Sequence, residues 1–351
     1  MIKIPNTDTS SIEKMDSELS VLRITALWAF SESAFGGILH ALSVPLRGIF
    51  ISSAAVLFIS LIALFSKNNK EILKSTLIVV LIKALVSPYS PLAAYFAVSL
   101  QGVLGFILFS TKRFYKLSTL LLGLIVLIFS GVQKIVLLTI LFGTSLWESL
   151  NIFIEQISAE LFRINHPDIN YGYLLVGVYV ALHLVAGLLI GIYAGKLPDK
   201  LNYYRKVIPS VIEVKTSGNI PKSENRKKRV WFLHPTGIFI ILLSAGVIII
   251  SYVSPKLESN VAISVILMLV RALVITLIWY SLLAPLAMKL FQRFVTKRKS
   301  KYSKYMEEII TMFPQFKNIV NYCWKLSKDK KGYRRISSFL STSFYYLLLS
   351  K

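Results

Sequence analysis

Few residues in this chain of 351 could do chemistry, and nearly all of them interrupt apolar stretches. Glu32 and His40 fall in one such stretch, Lys83 in another and Gln101 in the next. Gln133 and Lys134 are adjacent further along, and His183 and Arg271 follow singly. A charge inside a membrane-spanning segment is costly, so such residues pair with one another, face a wet cavity or line a substrate path. Glu32 is the only acid well inside a span, and pairing it with Lys83 or Lys134 is the simplest neutralisation. The same residues admit two roles: glue between helices, or the lining of a polar ligand cavity.

Between Lys83 and Gln101 the chain reads SPYSP, two prolines bracketing Tyr89. Each proline removes a backbone donor and pushes the preceding residue out of the helical region. Non-helical backbone at membrane depth survives only where protein buries it or it lines a cavity. Tyr89 and Tyr95 are thus placed to close a site above Lys83 and Gln101, or to anchor a tight turn in the interfacial aromatic belt.

Other chemistries lack their residues. The single cysteine, Cys323, excludes an internal disulfide framework and a cysteine-based zinc site, and the four histidines carry no metal-ligand spacing. No Walker A, HExxH or GxSxG pattern is present. No enzyme, cofactor or metal is expected.

The elements that must position these residues follow from hydropathy. With 55% hydrophobic residues and a mean hydropathy of +0.64, the chain is too apolar for an ordinary water-soluble domain. The composition predicts an all-α, polytopic membrane helix bundle of about eight spans. They fall near 24–43, 48–66, 75–87, 92–110, 117–143, 172–195, 236–253 and 261–288, with a broken or re-entrant pair around SPYSP as the alternative.

Basic residues sort by loop. Lys67, Lys70 and Lys74 follow the second span, and Lys112, Arg113 and Lys116 the fourth. Ten Lys/Arg lie in 196–231 and fifteen in 289–351, whereas the intervening loops hold little beyond Arg47, Arg163 and Lys256. By the positive-inside rule both termini are expected on the cytoplasmic side of the inner membrane. The net charge of +23 is then topology plus attraction to anionic lipid, or docking to an acidic partner, rather than nucleic-acid binding.

The expected organisation is a cytoplasmic N-terminal segment (1–22), a six-span membrane domain (23–196) and a basic linker (197–231). A two-span segment (232–291) and a basic amphipathic tail (292–351) complete it. The outer loop 144–171 is expected to be acidic, and FLSTSFYYLLLS to pack against the bundle. In the first span Thr25, Ala29, Ser33, Gly37 and Ala41 recur every four residues. Such a ridge of small side chains is a helix-packing surface, for the protein's own bundle or for a membrane partner.

The ridge in ALWAFSESAFGGILHAL and the run LIKALVSPYSPLAAYFAVSLQGVLG resemble the substrate-binding S components of energy-coupling factor vitamin transporters. The likeness covers residues 20–196. It implies a small, vitamin-like metabolite bound near the outer face. The polar and aromatic residues read above, Glu32, Lys83, Tyr89, Tyr95, Gln101, Gln133, Lys134 and His183, are the candidate lining of such a cavity. It also implies that Ala29, Ser33 and Gly37 dock a transmembrane coupling subunit driven by cytoplasmic ATPases. The alternative is a non-transport scaffold that recruits a soluble partner or anionic lipid through its basic linker and tail.

Overall fold

A computed structural model describes residues 9–36, 46–87, 90–162, 169–207 and 261–349. Their secondary structure is helical, with no strand among them. Four helical stretches are long and apolar enough to cross a membrane: Arg47–Phe65, Tyr115–Phe142, Tyr171–Gly195 and the long run Ile266–Leu326. A shorter apolar helix, Leu92–Leu108, follows the proline turn. The stretch expected to span at 236–253 lies outside the described residues, as do His40, Gly37 and Tyr89.

The chain divides into two compact units. The first comprises Met1–Leu127, Ala186–Pro221 and Val295–Lys351; the second comprises Ile128–Val185 and Lys222–Phe294. At the heart of the first unit are four helices: α1 (Thr9–Phe30, prolonged by a π-helical turn Ser31–Phe35), α2 (Arg47–Phe65), α3 (Lys70–Val86) and α4 (Leu92–Leu108). Their contacts give the register. Thr25 meets Ser75 and Glu32 meets Lys83, so α1 and α3 run in the same direction. The chain reverses between α3 and α4 through the proline turn.

Glycine decides how closely α4 approaches its neighbours. A Cβ on Gly102 would overlap the Thr76 side chain of α3, and one on Gly105 would overlap Ile59 of α2. The space each leaves is filled by a buried neighbour, and Ile59, Ile72, Ile78, Leu81 and Ile82 form the apolar core around them.

Helix α5 (Tyr115–Phe142) and helix α7 (Tyr171–Gly195) begin or end in the first unit and continue into the second. Within the first unit they cross backbone to backbone. A Cβ on Gly191 would stand 2.8 Å from the Leu120 Cα, and one on Gly187 would stand 2.7 Å from the Gly123 carbonyl. Gly187, Gly191 and Gly195 recur every four residues, so one glycine face of α7 runs along α5. This ridge is legible in GLLIGIYAG, although the small-residue pattern that stands out in the sequence is the one in α1.

In the second unit, the acidic segment expected as an outer loop at 144–171 contains a helix, α6 (Ser145–Phe162). Its apolar residues recur at helical spacing, and Trp147 is buried with its indole N–H donating to the Thr139 hydroxyl at 3.0 Å. Helix α9 (Val261–Ile278, prolonged by a π-helical turn Trp279–Leu283) packs against α6.

The expected boundary at 291/292 falls inside a continuous 43-residue helix, α10 (Ala284–Leu326). Met306, Ile309, Phe316, Ile319 and Cys323 make a buried stripe along its C-terminal half, the amphipathic face anticipated for the tail. Phe313 meets Phe30 of α1 edge-on, and Lys74 of α3 lies 4.2 Å from the Tyr305 ring centroid. Burial opposes the Lys74 ammonium, but the charge of Glu71 and the Tyr305 hydroxyl together raise its pKa above the ordinary lysine value. Helix α11 (Gly332–Leu349) folds back so that Tyr345 is buried and stacks on Tyr204 of α8 (Leu197–Val207) at 3.8 Å. FLSTSFYYLLLS thus packs against the first unit, as its composition and length suggest.

Candidate polar site in the first unit

The Lys83 ammonium donates to the Glu32 carboxylate, Nζ to Oε2, at 2.7 Å. Both side chains are buried, 7% and 2% exposed. Two lone charges would not stay there, because desolvation costs several kcal/mol per ion; a short, direct contact is what offsets it. The expected pairing of Glu32 with a lysine is therefore present, and Lys83 is its partner.

Glu32 sits in the π-helical turn, where the Gly36 N–H reaches back to the Ser31 carbonyl. Ser31, Glu32 and Ser33 are all buried, so three successive polar residues enter the interior at one point of α1. Single π turns inside α-helices occur often at functional sites. The second carboxylate oxygen of Glu32, Oε1, and the Ser33 hydroxyl are buried without a hydrogen-bond partner among the described residues.

Gln101 is also buried, and its amide nitrogen contacts the Ser52 hydroxyl at 3.5 Å, the outer limit of a hydrogen bond. Its Oε1 has no partner among the described residues. The helix register separates this amide from the ion pair. Gly102 abuts Thr76, and Lys83 lies two turns further along α3, about 10 Å at the helical rise. Tyr95 lies equally far back along α4. Its hydroxyl donates to the Ser87 carbonyl at 3.1 Å, while the Ser87 and Ser90 hydroxyls stand 3.0 Å apart. Tyr95 thereby holds Ser87, the first residue of the SPYSP turn.

Gln133, Lys134 and His183 belong to the second unit, where Lys134 and His183 both meet Tyr179. His183 is fully buried: its Nδ1 is 2.9 Å from the Tyr179 carbonyl, and its ring packs so tightly on Gly131 that a Cβ there would stand 2.9 Å from Cγ. Its Nε2 has no partner among the described residues. Lys134 is exposed and lies 5.7 Å from the centre of the Tyr179 ring, and Gln133 is half-exposed. Arg271, also buried, fills the space beside Gly143, whose φ of +76° ends α5. Helix ends of this kind present free carbonyls that favour a cation.

Of the ridge on α1, Thr25, Ala29 and Ser33 are buried within the first unit, and the Thr25 hydroxyl donates to the Ser75 hydroxyl at 2.8 Å. That is the internal-packing role of the ridge. The partner hydroxyls, Ser52 and Ser75, were not legible as such, because serine in an apolar helix satisfies itself as readily on its own turn. Among the described residues no three His, Cys, Asp or Glu side chains come together as a metal site would require. The chain matches no protein-family model, no curated protein and no solved structure.

Proposed function

We infer that this is a membrane transport protein that captures a small, vitamin-like metabolite, with separate coupling and ATPase subunits supplying energy. Eight crossings with both termini on the cytoplasmic side accompany this reading. One observation carries it: among the described residues, the buried Glu32–Lys83 pair is only half satisfied. A pair serving solely to join two helices gains nothing from a buried carboxylate oxygen and a buried serine hydroxyl that lack partners among the described residues, since each unpaired buried polar group costs about 1–3 kcal/mol. Those two acceptors suit a donor group on a polar ligand, and Lys83 supplies the opposite charge.

The test uses the charge-neutral double variant Glu32→Gln/Lys83→Met, which removes both ions together and so avoids an orphaned charge. Full-length wild-type protein, purified gently from its membrane, is expected to release a small metabolite detectable by mass spectrometry. The double variant is expected to insert normally and to carry none of it. Equal retention by both proteins removes the pair from the site.

A second reading has its own support. Glu32 with Lys83 and Gln101 with Ser52 are paired within packed helices at separate levels rather than around one void. That arrangement suits a scaffold whose basic segments recruit a soluble partner or anionic lipid. Lys289, Arg293, Lys297, Arg298, Lys299, Lys301 and Lys304 are exposed along the first half of α10. A wild-type protein that carries no metabolite and instead co-purifies with an acidic soluble protein would favour the scaffold.

A further inference from the structure

The turn between α4 and α5 encloses a cavity of about 620 Å³, apart from the Glu32–Lys83 site. Its floor is apolar: Ala63 and Leu64 at the end of α2, Phe109 just beyond α4, and Leu117 on α5. Phe114, Tyr115 and Pro198 also line it, and Arg113 and Lys116 are its two cations, both exposed. No carboxylate among the described residues is within ion-pair reach of either cation.

Hydrogen bonds hold the frame around the cavity. The Asn69 amide donates to the Phe109 carbonyl. Ser118 donates to the Leu108 carbonyl at 2.7 Å, and the Tyr115 hydroxyl donates to the Ser60 carbonyl at 3.1 Å. The cavity thus offers an apolar floor and two cations that no carboxylate among the described residues neutralises.

Position narrows the occupant. The cavity lies where α2 ends and α5 begins, two helices long and apolar enough to cross a membrane. In a bilayer crossed by these two helices, hydrocarbon would meet the floor and the cations would stand at headgroup level. Phe114 and Leu117 of the lining are 56% and 52% exposed, which suits contact with lipid. A water-soluble anion would leave the apolar floor uncovered, whereas an anionic amphiphile fits both parts. Volumes of about 300–1,000 Å³ are ordinary for ligand sites.

We propose that this cavity binds one anionic phospholipid, with an acyl chain on Ala63, Leu64, Phe109 and Leu117 and the phosphate on Arg113 and Lys116. This goes beyond the transport reading and is independent of it. Each cation near a membrane surface contributes about 1 kcal/mol toward an anionic lipid, so losing both weakens binding about thirtyfold.

The experiment titrates phosphatidylglycerol and phosphatidylcholine into detergent-solubilised full-length protein and counts bound lipids by native mass spectrometry. One phosphatidylglycerol is expected to bind well above the phosphatidylcholine background. Arg113→Gln/Lys116→Gln, with both sites exposed and the helical content checked by circular dichroism, is expected to lose it about thirtyfold. Equal binding of the two lipids, undiminished binding by the variant, or full displacement by millimolar glycerol 3-phosphate would each overturn the proposal. The last of these would assign the cations to a soluble phosphate instead.

Discussion

Helix α2 and helices α5 and α7 are almost equally apolar, yet they live in different surroundings. Of the most apolar 18 residues of α2, 44% are buried in the protein, against 17% for each of α5 and α7. The difference shows in how each region treats its polar groups. Inside α1–α4 an ion pair, an amide and several hydroxyls are buried, and partners lie on neighbouring helices. Along α5 and α7 the contact is made by glycines, and the side chains around it, such as Leu121, Leu182 and Leu189, face outward. Hydropathy reports the cost of exposing a helix to water. It does not distinguish burial in protein from burial in lipid, because both are apolar.

The largest effect should come from splitting the ion pair. Lys83→Met leaves the Glu32 carboxylate buried without its cation, a loss of about 3–5 kcal/mol in reversible unfolding measurements. The double variant Glu32→Gln/Lys83→Met should recover most of that loss. A single variant as stable as wild type would mean that water already reaches Glu32, and the contrast between the two regions would weaken.

Glycine substitutions sharpen the contrast next. Gly102→Ala should cost about 1–3 kcal/mol by overpacking, and Thr76→Ala should recover much of it, because a side chain is what blocks the Cβ. Gly191→Ala should cost a similar amount with no rescue from any single side-chain truncation, because its obstacle is the backbone of α5. Thermal denaturation of these variants distinguishes side-chain packing from backbone packing. Rescue at Gly191 by trimming Leu120 would contradict the backbone crossing.

A smaller change is expected at His183. Its Nε2 is already unsatisfied, so His183→Phe removes a buried polar atom without breaking a side-chain partnership of that nitrogen. The variant should stay within about 1.5 kcal/mol of wild type in the same denaturation assay. A loss of several kcal/mol would place a bound water or ligand on that nitrogen.

The smallest effect concerns Lys74, whose contacts with Glu71 and Tyr305 link α3 to α10. Its pKa is raised on folding, so the stabilisation is fully present below the unfolded lysine value. It fades as pH rises through the higher folded value. Lys74→Met should cost less than about 1 kcal/mol at neutral pH and flatten the alkaline limb of the stability profile. An unchanged alkaline limb would dissociate Lys74 from α10.

Much of the candidate site could be read from residue types alone. An acid and a lysine in separate apolar stretches have few ways to be neutral, so the pairing of Glu32 with a buried lysine follows from desolvation cost. A glycine every fourth residue in α7 implies a close crossing, and basic runs mark ends of apolar helices. Other features had no local signature. Nothing in SESAF announces a π-helical turn, and the acidic residues of 145–162 conceal a helix whose buried face rests largely on Trp147. The continuity of α10 was hidden because a dense run of lysines resembles a solvated tail, although those residues are also good helix formers.

Composition and periodicity therefore determined that the chain is helical, that several helices suit a bilayer, and which side chains could not remain unpaired. Those are properties of single segments and of the solvent each one meets. Tertiary structure decided that Lys83 rather than Lys134 answers Glu32, that Gln101 lies two turns from that pair, and that Gln133, Lys134 and His183 keep separate company in the second unit. Each of these is a matter of which helix faces sit within a few ångströms of one another. That distance depends on where glycine lets two backbones close, a fact about pairs of helices that neither helix carries alone.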